Sequence, residues 1–357
     1  MADARERGFT LDDADAGTTL AAALRRRLEG KSWSDVRALC TTGKVTLDGE
    51  RALDPAVRVA AGQQIALRPN APKPHTVPAG FRIALEDAHL VVIEKPSGIS
   101  SVPYDRKETG TALDLVRAAW RQAGKRATAT PLYTVHRIDK DTSGLLVFAK
   151  TRLAERGLHD VFQKHTAARA YLAVAEGEVA AARIESQLVA DRGDGIRGST
   201  RHADQGQLAI TYVEPLRRFT AGTLKGFPYP PATDSGERSS PPSTRSARPG
   251  KSTPAGGPAG GIIATLCRVR LETGRTHQIR IHLSERGHPL VGETVYIRDL
   301  LRAGQQPLPA SRLMLHAALL GFPHPVTGAT IELRAEPPAD FMSVIESLGG
   351  TRADCRI

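Results

Sequence analysis

Cysteine is scarce in this chain of 357 residues: Cys40, Cys267 and Cys355 are the only three, and no two have CxxC spacing. A disulfide framework and a cysteine zinc site are therefore not expected, and the pattern fits a reducing cytosol. The opening stretch, MADARERGFTLDDADAG, lacks an apolar core, so no signal peptide is expected. No apolar run approaches the ~20 residues that a membrane-spanning helix needs. The histidines His277 and His282 are not spaced i, i+4 and have no evident third ligand, so no metal is expected. These absences together predict a soluble, cytoplasmic protein without a membrane partner.

What is present is length, an apolar fraction of 40%, and positive charge. The length suits two domains. Lys and Arg number 49 against 38 Asp and Glu, a formal net charge of +11 that concentrates polyanions such as nucleic acid. Residues 1–17 are polar and acidic and read as a flexible tail. TTLAAALRRRLEG, 18–30, reads as a helix with Leu20, Leu24 and Leu28 on one stripe. Ser32 or Ser34 caps a second helix, SDVRALCTTG, which Gly43 terminates. Strand pairs follow: Val45 and Leu47 alternate with polar residues, Asp48-Gly49 signals a hairpin, and Gln64 to Leu67 form another strand.

Residues 18–68, with two basic helices followed by small strands, resemble the S4 RNA-binding domain. The resemblance implies phosphate contacts from Arg25, Arg26, Arg27, Lys31, Arg37 and Lys44. Proline-rich residues 69–80 read as a linker, and a second domain is expected over 81–345. Within it, 225–261 is Pro, Gly, Ser, Arg and Thr with almost no large apolar residue. That stretch reads as a disordered insertion in a loop between neighbouring strands. Residues 346–357 read as a carboxy-terminal tail, and the protein as a monomer.

The chemistry concentrates in HRIDKDTSGLLVFAK, 136–150, and LETGRTHQIRIHLSERGHPLVGETVY, 271–296. With LVVIEKPSGI, 90–99, ARAYLAVAEG, 168–177, and RLMLHAALLGFPHPVTG, 312–328, these stretches resemble an RluA-type pseudouridine synthase. The resemblance covers most of 81–341, apart from the insertion. It implies a mixed, largely antiparallel catalytic sheet. The predicted fold class is therefore α/β of the α+β type, with a small α/β S4-like domain beside it. The implied reaction breaks the N1–C1′ bond of uridine, turns the ring, and joins C5 to C1′. Nothing is oxidised or added, so no cofactor is expected.

The resemblance assigns the catalytic carboxylate to Asp139. Asp141, just before Thr142-Ser143-Gly144, is spaced for a turn in which its side chain bonds nearby backbone amides. The resemblance suggests that the Arg137 guanidinium grips the flipped nucleotide or fills the vacated stack. His136 either stacks, donates a hydrogen bond, or anchors the loop. In TGRTHQIRIHL, alternation places Thr276, Gln278 and Arg280 on one face of a strand, opposite His277, Ile279 and Ile281. The resemblance pairs Arg280 with Asp139, with Arg275 as second choice, and brings Tyr171 against the target ring. Gln278 is grouped with the substrate-binding residues, and Leu313 and Leu315 are pocket wall. Departures from the pattern are few. Ile138 replaces a common leucine, Arg169 a usual lysine, and Glu293 a usual aspartate, which predicts a looser turn after Gly292.

The partner implied is RNA. S4-bearing members of the family mostly modify large-subunit ribosomal RNA, which favours that substrate over transfer RNA. The reading from another class is a noncatalytic RNA-binding or ribosome-assembly protein.

Overall fold

The computed structural model describes residues 7–71, 77–105, 108–125, 130–202, 204–223 and 261–357. The chain divides into two compact units, Met1–Val77 and Pro78–Ile357. The division falls inside the stretch read as a linker, of which 72–76 lie outside the described residues.

The first unit comprises β1 (Arg7–Thr10), α1 (Leu20–Arg27), α2 (Trp33–Thr41), β2 (Val45–Leu47), β3 (Glu50–Arg51) and β4 (Gln64–Leu67). Thr19 caps α1 by accepting from Ala22 N at 3.2 Å. Ser32, not Ser34, caps α2 in a reciprocal box with Asp35. Asp48 and Gly49 both adopt positive φ, 50° and 82°, as a two-residue hairpin turn between β2 and β3 requires. Leu20 and Leu24 are fully buried with Val36, Cys40 and Ile65.

Residues 7–17 are not a tail. β1 pairs along its length with β4, and Leu11 and Asp15 are buried. Two of the acidic residues, Asp12 and Asp15, are counter-ions of α1. Arg27 pairs with Asp15 and, at 3.2 Å, with Asp12; Arg26 lies 3.4 Å from Asp15. The hydrogen bond from Arg27, working against burial, pulls the Asp15 carboxyl down to about 2. A depressed carboxylate stabilises the fold above its ordinary value, and that contribution is lost as pH falls through the folded value. The first unit should therefore weaken between about pH 4 and about pH 2. Asp15→Asn should lower its stability at neutral pH and remove that acid step. Trp33 emission in a full-length Trp120→Phe background reads both effects.

The second unit is built on β5 (Arg82–Glu86), β6 (Leu90–Lys95), α3 (Ala112–Gln122), β7 (Tyr133–Thr134), β8 (Ser143–Ala149), α4 (Arg152–Gln163), β9 (Ala168–Glu176), β10 (Ala182–Val189) and β11 (Gly198–Thr200). It continues with β12 (Gln207–Thr220), β13 (Ile262–Leu271), α5 (Gln278–Glu285), α6 (Arg298–Arg302), β14 (Leu315–Pro323), β15 (Thr330–Arg334) and α7 (Ala339–Ser347). Its sheet has eleven strands in the order β11-β10-β12-β13-β9-β14-β8-β6-β5, with β15 on β14 and β7 on β8. Among the described residues β8 and β14 are the parallel pair, and the other neighbours are antiparallel. The predicted mixed, largely antiparallel sheet is thus observed.

All seven residues of β8 are buried, which is why LLVFA reads as an unbroken apolar run. At Gly144, φ is 112° and an added Cβ would fall on the Ala317 carbonyl, so only glycine lets β8 approach β14 here. Thr220 of β12 pairs with Ile262 of β13. The stretch 225–261 therefore connects neighbouring strands, and all of it except Gly261 lies outside the described residues.

Residues 346–357 are not a tail either. α7 runs to Ser347, a 3₁₀ turn follows over Arg352–Cys355, and Cys355 packs with Phe341 and Met342. Arg217 Nη1 holds both Asp354 oxygens, at 2.9 and 2.7 Å, and Nη2 donates to Gly349 O at 2.9 Å. The stretch reads as polar because its few apolar side chains find their partners only in the folded sheet. Among the described residues no helix is long and apolar enough to cross a membrane.

Candidate active site

A cleft of about 990 Å³ opens in the second unit. Asp139, Tyr171, His136, Arg137, Arg275, Gln278 and Leu315 all line it. Segments far apart in sequence converge there: the loop between β7 and β8, the start of β9, the loop before α5, and the start of β14.

The loop carrying Asp139 is fixed by backbone bonds. Thr142 N donates to Asp139 O at 3.1 Å. Ser101 Oγ accepts from Ile138 N at 3.1 Å and donates to Ile138 O at 2.7 Å. Ser97 Oγ donates to Asp141 O at 2.7 Å. The Asp141 carboxylate is exposed and forms none of the amide bonds expected of it, so the turn is held by main chain rather than by that side chain.

Beneath the loop lies Lys95, the last residue of β6 and only 1% exposed. Its Nζ donates to Pro96 O at 2.9 Å, Ile99 O at 2.7 Å and Lys140 O at 2.9 Å. Burial pushes its pKa down to about 7, against the pull of Asp139 and Asp141. Three carbonyls need three N–H donors, which only the ammonium form supplies, so the cation is the form that fits. Sequence analysis gave Lys95 no role of its own within LVVIEKPSGI. The available signal was a lysine closing a strand whose first four residues, Leu90 to Ile93, are all apolar, where a charge must have partners.

His136 resolves among its three readings. Its Nε2 accepts from Val147 N at 3.1 Å, and its ring stacks on Phe162 at 4.3 Å. Burial, with Arg169 nearby, pushes it down to about 3, so it is neutral and engaged in anchoring the loop. Arg169 donates to Glu272 O at 2.9 Å and lies over Phe162, keeping its charge at the cleft wall.

TGRTHQIRIHL is not a strand. His277 takes a left-handed turn, φ 58°, and α5 begins at Gln278. Gln278 is 2% exposed. Its oxygen accepts from Thr273 Oγ1 at 2.8 Å and Arg275 N at 3.0 Å. Its nitrogen donates to Ile210 O at 3.0 Å and Thr211 Oγ1 at 2.9 Å. That saturates the amide, so Gln278 builds the turn and has nothing left for a substrate. Arg275 donates from Nε to Leu208 O at 3.0 Å while lining the cleft.

Arg280 does not pair directly with Asp139. Its Nε and Nη2 each meet Glu293 at 2.7 Å, with side chains 5% and 0% exposed. Glu293 Oε1 also accepts from Thr294 N at 3.0 Å and Val295 N at 2.9 Å, so the turn predicted to be loose is pinned. Burial lowers the Arg280 pKa, but Glu293 outweighs it and Asp139 adds to the rise. Asp139 thus sits within the field of two buried cations, Lys95 and Arg280. Among the described residues no side chain hydrogen-bonds or ion-pairs with its carboxylate.

Tyr171 is 7% exposed, and its hydroxyl has no hydrogen-bond partner among the described residues. Burial, opposed by Arg169 and aided by Asp139, raises its pKa. That makes it a poorer base and leaves its ring face as its asset. Leu315 joins the wall, whereas Leu313 lies behind it in the core with Tyr171 and Ala317. Arg137 is exposed at the cleft and has no ion pair among the described residues.

In the first unit, Lys31 and Arg37 are exposed, and Arg25 lies 4.7 Å from the Trp33 ring. Arg26 and Arg27 are instead tied to Asp15, and Lys44 Nζ donates to Ala71 O, which reduces their availability to phosphate.

The profile of the family described as RNA pseudouridylate synthase matches residues 89–285, which include Asp139, Tyr171 and Arg280. The chain belongs to that family. It is an RNA pseudouridine synthase, an isomerase. It is 32% identical to ribosomal large subunit pseudouridine synthase D of Zymomonas mobilis, over 95% of this chain and 96% of that one. It is 33% identical to an uncharacterised RNA pseudouridine synthase of Bacillus subtilis, over 73% of this chain and 70% of that one. The solved human RNA pseudouridylate synthase domain containing 1 shares the fold, with a TM-score of 0.50, 18% identity, and coverage of 78% and 98%. The synthase thus has its cleft, apart from Leu315, within the matched region, and its first unit outside it.

Proposed function

We propose that this synthase converts uridine to pseudouridine in large-subunit ribosomal RNA, with Asp139 as the catalytic anion. The observation that carries the catalytic assignment is a carboxylate without a hydrogen-bond or ion-pair partner among the described residues, on a hydrogen-bonded loop, in a cleft, within the field of two buried cations. The substrate assignment rests on relatives such as that of Zymomonas mobilis, which match along nearly the whole chain. Transfer RNA and a noncatalytic role are the competing readings. An unpaired carboxylate next to Lys95 and Arg280 favours chemistry, since a merely structural aspartate would be bonded to its own loop.

The reaction needs negative charge near C1′ while N1 departs, and Asp139 supplies it. Lys95 and Arg280 supply buried positive charge near that carboxylate. The Tyr171 ring forms a floor for the turning uracil, and Leu315 a wall, so the detached base stays in place. Arg137 at the mouth holds the extruded strand. The proton lost from C5 is balanced by one gained at N1, so neither cofactor nor metal enters the chemistry. An S4-like first unit adds affinity through Arg25, Lys31 and Arg37. The catalytic groups named here all belong to one chain, which fits a monomer, and the cytoplasm is the proposed compartment.

The test is to map pseudouridines across total RNA in a strain lacking the gene and in its complemented twin. One or more large-subunit sites should vanish and return. Sites changing only in transfer RNA would overturn the substrate assignment.

A further inference from the structure

Tyr104 is 96% exposed, yet it lines the same cleft as Asp139 and Tyr171. Large aromatic rings are seldom left in water without packing, and this one stands on a backbone that is anything but loose. The Glu108 carboxylate accepts from Tyr104 N and from Ser100 Oγ, each at 2.6 Å. Asp105 accepts from Glu108 N at 3.0 Å. Ala112 N, at the start of α3, donates to Ser100 O at 2.8 Å. Ser101, next in the chain, forms the reciprocal pair of bonds with Ile138, the residue before Asp139. The loop that presents Tyr104 and the loop that presents Asp139 are therefore hydrogen-bonded into one piece.

The cleft's volume, about 990 Å³, lies at the top of the ~300–1,000 Å³ range for sites that take a whole small molecule. It has room for more than one nucleotide. Tyr171 is buried at its floor and Tyr104 is exposed at its rim, so one ring is placed for the target base and the other for a base outside the pocket. We propose that Tyr104 is a substrate-positioning residue, stacking on an unpaired base that flanks the target uridine. Stacking fits better than hydrogen bonding, because a ring offers every base a face whatever its edge. Held at a fixed offset from Asp139, the stacked neighbour would set where the extruded nucleotide enters. This rests on the assignment of Asp139's cleft as catalytic.

The test uses total RNA from a strain lacking the gene, labelled with tritium at uracil C5, and follows tritium release. Tyr104→Ala should lower kcat/KM by roughly tenfold, mainly through a higher KM. Tyr104→Phe should stay within about twofold of wild type, since it keeps the ring. With the side chain 96% exposed, the thermal midpoint of both variants should match wild type. An unchanged KM in Tyr104→Ala would overturn the inference, as would a Tyr104→Phe as impaired as the alanine variant. Asp139→Asn, run alongside, separates the two claims: if it stays inactive while Tyr104→Ala behaves as wild type, only the stacking role fails.

Discussion

Asp139→Asn should reduce pseudouridine formation by on the order of 10⁴-fold or more, with RNA affinity within about threefold. The substitution keeps shape and removes charge. Among the described residues no hydrogen bond or ion pair uses that carboxylate, and the loop is held by Lys95, Ser97, Ser101 and the Thr142 amide. Stability should therefore be close to wild type. Single-turnover tritium release and RNA binding on the same preparation measure the two quantities. A variant that binds and still turns over at the wild-type rate would refute the role of Asp139. One that no longer binds would show the carboxylate to be structural.

Glu293→Gln should cost about 3–5 kcal/mol of stability, the range for leaving one member of a buried ion pair alone. Arg280 and Glu293 are bidentate at 2.7 Å with almost no exposure, so water cannot replace the lost oxygen. Activity should fall too, because Arg280 would no longer be held near Asp139. The pair has a pH signature. Burial raises the Glu293 carboxyl, but Arg280 and the backbone amides lower it further, leaving it below its ordinary value. Its contribution is thus complete above the unfolded carboxylate value and lost as pH falls through the folded one. Denaturant midpoints from neutral to acid pH should show that loss in wild type and not in Glu293→Gln. The apolar double variant Arg280→Met/Glu293→Leu separates fold from function: much of the stability should return without activity. Recovery of activity in that variant would exclude Arg280 from the electrostatics of the site.

The residues that carry local rules were readable from sequence. Gly43, Asp48-Gly49 and Ser32 punctuate the first unit as turn and cap chemistry dictates. HRIDKDTSGLL forms a loop leading into a buried strand, with the expected carboxylate in a cleft. What was hidden depends on partners distant in sequence. α5 read as a strand because polar and apolar residues alternate through TGRTHQIRIHL. In the fold, Gln278 through Leu283 are all buried, so no solvent face imposes the helical period on the sequence. Gln278 and Arg280 are polar because Thr211 and Glu293, far off in the chain, satisfy them. The same holds for Asp15 and Lys95. Each is a charge whose counterpart lies in another element, so composition assigned the first to a tail and gave the second no role.

The most direct test is complementation. A strain lacking the gene is given either the wild-type synthase or Asp139→Asn at equal expression, and pseudouridines are mapped across its large-subunit ribosomal RNA. Restoration by wild type alone is the predicted result. Restoration by both would contradict the claim that this carboxylate performs the reaction.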